Sequence, residues 1–214
     1  MKYPESYSSK DITAVILAGG RGRRLEGKDK GLLPVHGKAM IEYAIAAIKP
    51  QVSHILISAN RNEQAYARFG YPVINDTMGD YYGPLAGVVS ALENTKTELL
   101  VTVPCDCPQL PNDLVPRLFA ALQTNSTRAS IAHDGERLQP MFALLYRNLL
   151  PALKAYIETG ERKADNWYRQ QNATIADFSE FPEAFMNINT EQDLMLFGST
   201  LNTLNTPNIP NKAQ

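Results

Sequence analysis

Ile12-Thr13-Ala14-Val15-Ile16-Leu17 runs straight into Ala18-Gly19-Gly20-Arg21-Gly22-Arg23-Arg24, and this junction sets the architecture. The first six residues are apolar and largely β-branched, as a strand covered on both faces requires. The glycines that follow let the backbone turn sharply and approach a ligand closely. A buried strand ending in such a loop predicts a sheet covered by helices, with ligands gathered beyond the carboxyl ends of its strands.

The rhythm continues downstream. Ile41, Ala44, Ile45 and Ile48 fall at helical spacing, with Pro50 as a stop. His54–Ser58 reads as a second strand, and Asn62 is placed to cap a helix through Phe69. Tyr71–Ile74 reads as a third strand. Leu85, Val88, Val89 and Leu92 form the next helical stripe. Leu99–Val103 is a fourth strand, followed by a helix around Val115–Leu122 with Asn112 and Asp113 as caps. Beyond Ser126, Arg128–His133 and Met141–Tyr146 flank the polar turn Asp134-Gly135, an antiparallel excursion. Helices are expected around 148–158 and 162–171, and Thr190 with Asp193 predicts a capping box for a closing helix through Leu196. The expected fold is a three-layer α/β/α, Rossmann-like domain with a mostly parallel twisted sheet. Residues 1–10 read as a flexible leader, 11–198 as one domain and 199–214, rich in Asn, Thr and Pro, as a flexible tail.

Composition narrows the function. The chain has 214 residues, 44% hydrophobic and 20% charged, enough for a large core without disulfide or structural zinc. A formal net charge of −1 gives no global attraction to nucleic acid or an anionic membrane, so any anion site is local. The N-terminus has no apolar signal core, and no apolar run approaches the ~20 residues of a membrane span. Cys105 and Cys107 stand too close along one strand end to bridge and read as free thiols of a reducing compartment. The expected location is the cytoplasm.

The loop after Leu17 reads as a phosphate cradle. Consecutive N–H groups in a glycine-rich turn form an anion nest, and Arg21, Arg23, Arg24, Lys28 and Lys30 concentrate positive charge there. Lys30, backed by Gly31-Leu32-Leu33, is the anchored ammonium that a reacting triphosphate needs. A dinucleotide-binding fingerprint is disfavoured because Leu25 occupies the third glycine position, and a Walker A loop because Asp29 stands where Ser or Thr is needed. A solvated basic loop is the plainer alternative. Asp106, held in Pro104-Cys105-Asp106-Cys107-Pro108 at the end of strand four, is a hard oxygen ligand suited to Mg²⁺. Asp76, after strand three, faces the same crevice and is a candidate for metal-bound water, a ribose hydroxyl or the donor edge of guanine. A turn role is its alternative. Gly83-Pro84-Leu85 opens a helix whose first N–H groups are available to a ligand.

Taken together, Leu17-Ala18-Gly19-Gly20, Arg24-Leu25, Asp29-Lys30-Gly31-Leu32-Leu33 and Gly37-Lys38 resemble the N-terminal signature of the molybdenum cofactor guanylyltransferases. Gly83-Pro84-Leu85-Ala86-Gly87, Pro104-Cys105-Asp106 and Asn187-Ile188-Asn189-Thr190 are similar to later motifs of that family, so the likeness spans roughly 12–197. The resemblance implies a nucleotidyltransferase fold and transfer of GMP from GTP to molybdenum-bearing molybdopterin, releasing pyrophosphate. It implies nucleotide contacts at Leu17, Ala18, Gly19, Gly20, Lys30, Asp76 and Asp106, and Mg²⁺ on Asp106. Ser58 is a further nucleotide candidate, at a position where relatives can carry Asn. Lys30, Arg24 and Asp106 are the expected catalytic groups. Arg137, Gln139, Pro140, Arg162 and Lys163 are candidates for the pterin. Partners would be the two small-molecule substrates, with transient contacts to molybdenum-insertion proteins and recipient molybdoenzymes. The alternatives are a cytidylyltransferase on the same pterin, a non-catalytic nucleotide-binding regulator, and a metal-dependent glycosyltransferase. The last is weakened by the missing second Asp in Asp106-Cys107-Pro108.

Overall fold

The computed structural model describes residues 8–19, 29–78 and 83–205, with only the backbone of 191 and 200–205. Among them, seven strands form one sheet in the order β5-β4-β1-β6-β8-β7-β9. Their ranges are β1 Ile12–Leu17, β4 His54–Ser58, β5 Val73–Ile74, β6 Leu99–Pro104, β7 Ala129–His133, β8 Leu138–Tyr146 and β9 Thr174–Asp177. Strand β8 alone runs against its neighbours, which is the antiparallel excursion expected from sequence. A separate hairpin pairs β2 (Pro34–Val35) with β3 (Lys38–Ala39). Its turn needs a left-handed backbone at His36 and Gly37.

Both faces of the sheet are covered. Ile12, Ala14 and Ile16 of β1 pack with Ile41, Ala44 and Ile48 of α1 (Met40–Ile48) and with Val115, Leu118 and Leu122 of α4 (Leu114–Thr124). Val15 points the other way, into Leu85, Val88, Val89 and Leu92 of α3 (Pro84–Asn94). That second layer is completed by Leu153 and Ile157 of α5 (Leu150–Glu158) and by Trp167 and Tyr168 of α6 (Ala164–Gln170). Period-two alternation into two apolar layers is why the strands lack polar faces. Each fully buried Leu or Val of α3 stabilises by about 1.5–3 kcal/mol. No helix among the described residues is long and apolar enough to cross a membrane.

Several local expectations are corrected. Strand three shrinks to Val73–Ile74 because Pro72 has no N–H to give; only its carbonyl pairs, with Ile57. Asn62 precedes α2 (Glu63–Ala67) in a left-handed conformation, φ 53°, but its amide does not cap the helix; it donates to Asp29. Asp113 precedes α4 without capping it, its carboxylate being held 2.6 Å from Arg117 Nε. The free N–H of Val115 is met instead by Gln51 Oε1 at 2.9 Å, from a residue 64 positions away. The tail does not begin at Ser199: the last helix, α7, spans Glu191–Asn205. Its predicted capping box is present: Thr190 N–H donates to Asp193 Oδ2 at 2.9 Å, and Asp193 N–H donates to Thr190 Oγ1 at 3.1 Å.

Candidate active site

The strand order reverses at β1. From there β4 and β5 extend one way and β6 the other, so a crevice opens beyond the carboxyl ends of β1 and β6. Leu17 lies in register with Pro104, and Cys105 N–H donates to the Leu17 carbonyl at 3.1 Å. Ala18 N–H in turn donates to the Ser58 carbonyl at 2.8 Å. The start of the glycine loop, the end of β4 and the Asp106 turn are therefore neighbours by sheet geometry alone. Gly20 and Arg24, with Arg21, Arg23 and Lys28, lie outside the described residues.

Lys30 and Asp106 meet, Nζ to Oδ2, at 3.0 Å. Both are only partly buried, so the pair remains open to an incoming ligand. Lys30 is fixed from behind by its neighbours. Asp29 is buried and accepts from Tyr66 Oη at 2.5 Å and Asn62 Nδ2 at 3.0 Å, with Arg61 Nε at 3.5 Å. Burial foremost, then Cys105 and the Asp29 carboxylate, raises the Tyr66 phenol far above its ordinary range, so it stays a donor. Gly31 has no room for a side chain: an added Cβ would stand 2.5 Å from Tyr66 Oη. Thus Asp29 and Gly31 of the Asp-Lys-Gly motif seat the turn that carries Lys30.

A segment from the far end of the chain closes over the same pair. Asn189 Oδ1 accepts from Lys30 Nζ at 2.5 Å, and Ile188 N–H donates to the Asp106 carbonyl at 2.9 Å. Cys107 Sγ donates to Asn187 Oδ1 at 3.0 Å. Burial raises both the Cys105 and Cys107 thiols, so they are protonated packing groups, and neither is disulfide-bonded. Asn189 is a contact of Lys30 that sequence spacing does not single out; its signal is the Asn-Ile-Asn-Thr motif itself.

On the other flank, Asp76 pairs with Asn60: Asn60 Nδ2 donates to Asp76 Oδ2 at 2.6 Å, and Asp76 N–H donates to Asn60 Oδ1 at 2.8 Å. Burial raises the Asp76 carboxyl above its ordinary value, and the Asn60 amide opposes that shift. The Ser58 side chain turns toward α3, its Oγ 2.7 Å from where a Cβ on Gly87 would lie. Gly83 takes the positive φ of 69° that lets Pro84 start the helix, whereas the Leu85 side chain is fully buried in the core. Any ligand contact by Leu85 is therefore through its backbone.

A cleft of about 840 Å³ adjoins Asn187 and Asn189. Arg137, Gln139 and Pro140 line it, joined by His133 and by Arg169 of α6. Its rim is ordered by Asp134, which accepts from the N–H groups of Glu136 and Arg137 at 2.9 and 2.8 Å and from Gln139 Nε2 at 2.6 Å. Arg162 does not line the cleft; its guanidinium donates to the Ile157 carbonyl at 2.8 Å, at the end of α5. Lys163 sits at the start of α6, its carbonyl bonded to Tyr156 Oη at 2.7 Å.

Asp106 could hold a hard divalent cation such as Mg²⁺. Asp106 offers one hard carboxylate, and no cluster of three His, Cys, Asp or Glu occurs among the described residues. An ion there would complete its shell with water and phosphate oxygens, as Mg²⁺ habitually does.

A sheet whose strand order reverses at β1, with a lysine and an aspartate converging at its mouth, is that of an α/β nucleotidyltransferase. Comparison with known proteins places it more closely: residues 14–175 match the model of the MobA-like NTP transferase domain, and the chain belongs to that family. It is 48% identical over 194 residues to a molybdenum cofactor guanylyltransferase of Shewanella sp. (strain ANA-3), covering 91% of this chain and 98% of the relative. A protein of the same name from Shewanella sediminis is 50% identical over 184 residues, covering 86% and 94%. Among solved structures, molybdopterin-guanine dinucleotide biosynthesis protein A from Archaeoglobus fulgidus superposes with a TM-score of 0.75 at 22% identity, covering 89% of this chain and 99% of that one. A 4-diphosphocytidyl-2C-methyl-D-erythritol synthase from Anaerococcus prevotii shares the fold, with a TM-score of 0.72 at 12% identity over 91% and 97%.

Proposed function

We propose that this protein transfers GMP from GTP to the phosphate of molybdenum-bearing molybdopterin, forming the guanine dinucleotide cofactor and releasing pyrophosphate. The observation that carries the reading is the 3.0 Å approach of Lys30 to Asp106 at the sheet's switch point. The names of its relatives, with most of both chains aligned, support guanine as the base.

The backbone of Leu17, Ala18 and Gly19 cradles the triphosphate, and Gly20 is a further nucleotide contact by motif. An oxygen of the pterin phosphate attacks the α-phosphorus in line. The new P–O bond forms as the bond to the β-phosphate oxygen breaks, and the electron pair leaves with pyrophosphate. No protein base is needed, since a phosphate monoester is largely dianionic above its second pKa of about 6. Lys30, with Arg24, supplies fixed positive charge to the crowded phosphate oxygens. Asp106 would hold Mg²⁺, which when bound supplies Lewis-acid neutralisation of the triphosphate. Asn189 accepts a second hydrogen bond from the Lys30 ammonium and so helps fix its position beside Asp106. Asp76 receives donors of the nucleoside, and Ser58, Gly83, Pro84 and Leu85 shape the wall of its pocket.

The pterin occupies the cleft beside Asn187 and Asn189, where Arg137 and Arg169 balance its anionic phosphate and dithiolene. The reading includes a cytoplasmic location and transient contacts with molybdenum-insertion proteins and recipient molybdoenzymes. The test is a nucleotide panel with Mg²⁺ and molybdenum-loaded molybdopterin, read as pyrophosphate release and dinucleotide formation. GTP should be turned over and CTP poorly. Preferential use of CTP would overturn the assignment of the base, and tight GTP binding without Mg²⁺-dependent pyrophosphate release would overturn catalysis.

A further inference from the structure

We propose that Asn60 is a positioning residue for nucleotide selection, presenting the Asp76 carboxylate to the donor edge of guanine; this rests on Asp76 contacting the nucleotide. Asn60 lies two positions past β4, outside the motifs that carry the family resemblance, and its side chain is exposed at the crevice. It grips Asp76 at two points, through the carboxylate at 2.6 Å and the backbone N–H at 2.8 Å. A planar amide making both bonds fixes the rotation of the carboxylate as well as its place. The next residue is fixed from the opposite side, Thr77 N–H donating to Ser90 Oγ of α3 at 3.0 Å.

Two further observations aim this assembly at a ligand. Asp76 Oδ1 is shielded from solvent and has no hydrogen-bond partner among the described residues, while Oδ2 is taken by Asn60. A buried acceptor left open is costly unless something donates to it. Asn60 Nδ2 also lies 3.5 Å from where a Cβ on Gly19 would be, so the same amide borders the glycine cradle. One side chain thus joins the ends of three neighbouring strands, β1, β4 and β5. Guanine offers adjacent N1–H and N2–H₂ donors to a carboxylate oriented this way, whereas cytosine has no ring N–H beside its amine. Hypoxanthine keeps N1–H but lacks the 2-amino group.

Steady-state guanylyl transfer should be measured with GTP and ITP on the full-length wild-type protein, Asn60→Ala, Asn60→Asp and Asp76→Ala. Asn60→Ala should raise KM for GTP about tenfold with kcat changed less than about twofold, and should pull the GTP/ITP preference toward unity. Asn60→Asp should do the same or worse, since it sets two carboxylates side by side. Thermal melting identifies any variant that fails to fold, and the other Asn60 variant then carries the test. Unchanged GTP/ITP preference in a folded Asn60 variant overturns the proposal. If Asp76→Ala impairs GTP use while the Asn60 variants do not, the positioning role alone fails. If Asp76→Ala leaves GTP kinetics intact, the nucleotide role of Asp76 fails, and the role of Asn60 with it.

Discussion

The amide oxygen of Asn189 accepts a hydrogen bond from Lys30 Nζ at 2.5 Å, joining residues 159 positions apart. The ammonium is thereby held between Asn189 and Asp106 rather than resting on the carboxylate alone. Asn189→Ala should lower kcat about ten- to hundredfold, because small misplacements of a catalytic charge are that costly. The fold should remain, since the contact is near the surface. Transfer kinetics with circular dichroism check both points, and an unchanged kcat would remove Asn189 from the site.

Gly31 and Tyr66 make a second prediction. Gly31→Ala drives a Cβ against the phenol that satisfies the buried Asp29. It should destabilise by about 1–3 kcal/mol in denaturant unfolding, the range for overpacking. Adding Tyr66→Phe removes the clashing oxygen and should recover part of that loss. No recovery would place the strain elsewhere.

The architecture was readable because β1, β4 and β6 are covered on both faces, so apolar runs marked them directly, and glycines follow β1. The Lys30–Asp106 pairing was readable for the same reason: both groups follow buried strands at a reversal of strand order. Contacts that depend on tertiary closure were not. Asn60 follows its strand with no apolar pattern to flag it, and Gln51 caps α4 from 64 residues away. Strand β9 is only four residues long and exposes Ile175, too brief a signal for a sheet edge. Helix α7 runs past its expected end because Asn and Thr read as tail residues, although its capping box is evident in Thr190 and Asp193.

Asp134 gives a pH dependence. Burial pushes its carboxyl upward, but the N–H groups of Arg137 and Glu136, with the Gln139 amide, outweigh that and hold it below the ordinary value. A depressed folded pKa contributes stability that is fully present above the unfolded value, about 3.9, and is lost as pH falls through the folded one. Asp134→Asn should therefore lower Tm by about 2–4 °C at pH 7. The gap should narrow below about pH 4. A gap independent of pH would deny the carboxylate this role.

Arg169 tests the pterin cleft. Arg169→Ala should raise KM for molybdopterin severalfold and leave KM for GTP unchanged, because Arg169 lines the cleft beside Asn187 and Asn189. Arg162→Ala, which removes a guanidinium bonded to the Ile157 carbonyl, should instead lower stability with little selective effect on pterin binding. Isothermal titration with each substrate separates the two, and equal pterin affinities for wild type and Arg169→Ala would move the pterin elsewhere.

Guanylyl transfer by folded Asp106→Ala, measured in Mg²⁺ with loaded molybdopterin, bears most directly on the site. The expected result is a native circular dichroism spectrum with turnover reduced at least about a hundredfold, comparable to removal of a preorganised charge-stabilising group. Turnover near that of the wild type would contradict the assignment of the Lys30–Asp106 crevice as the place where the phosphoryl bond is exchanged.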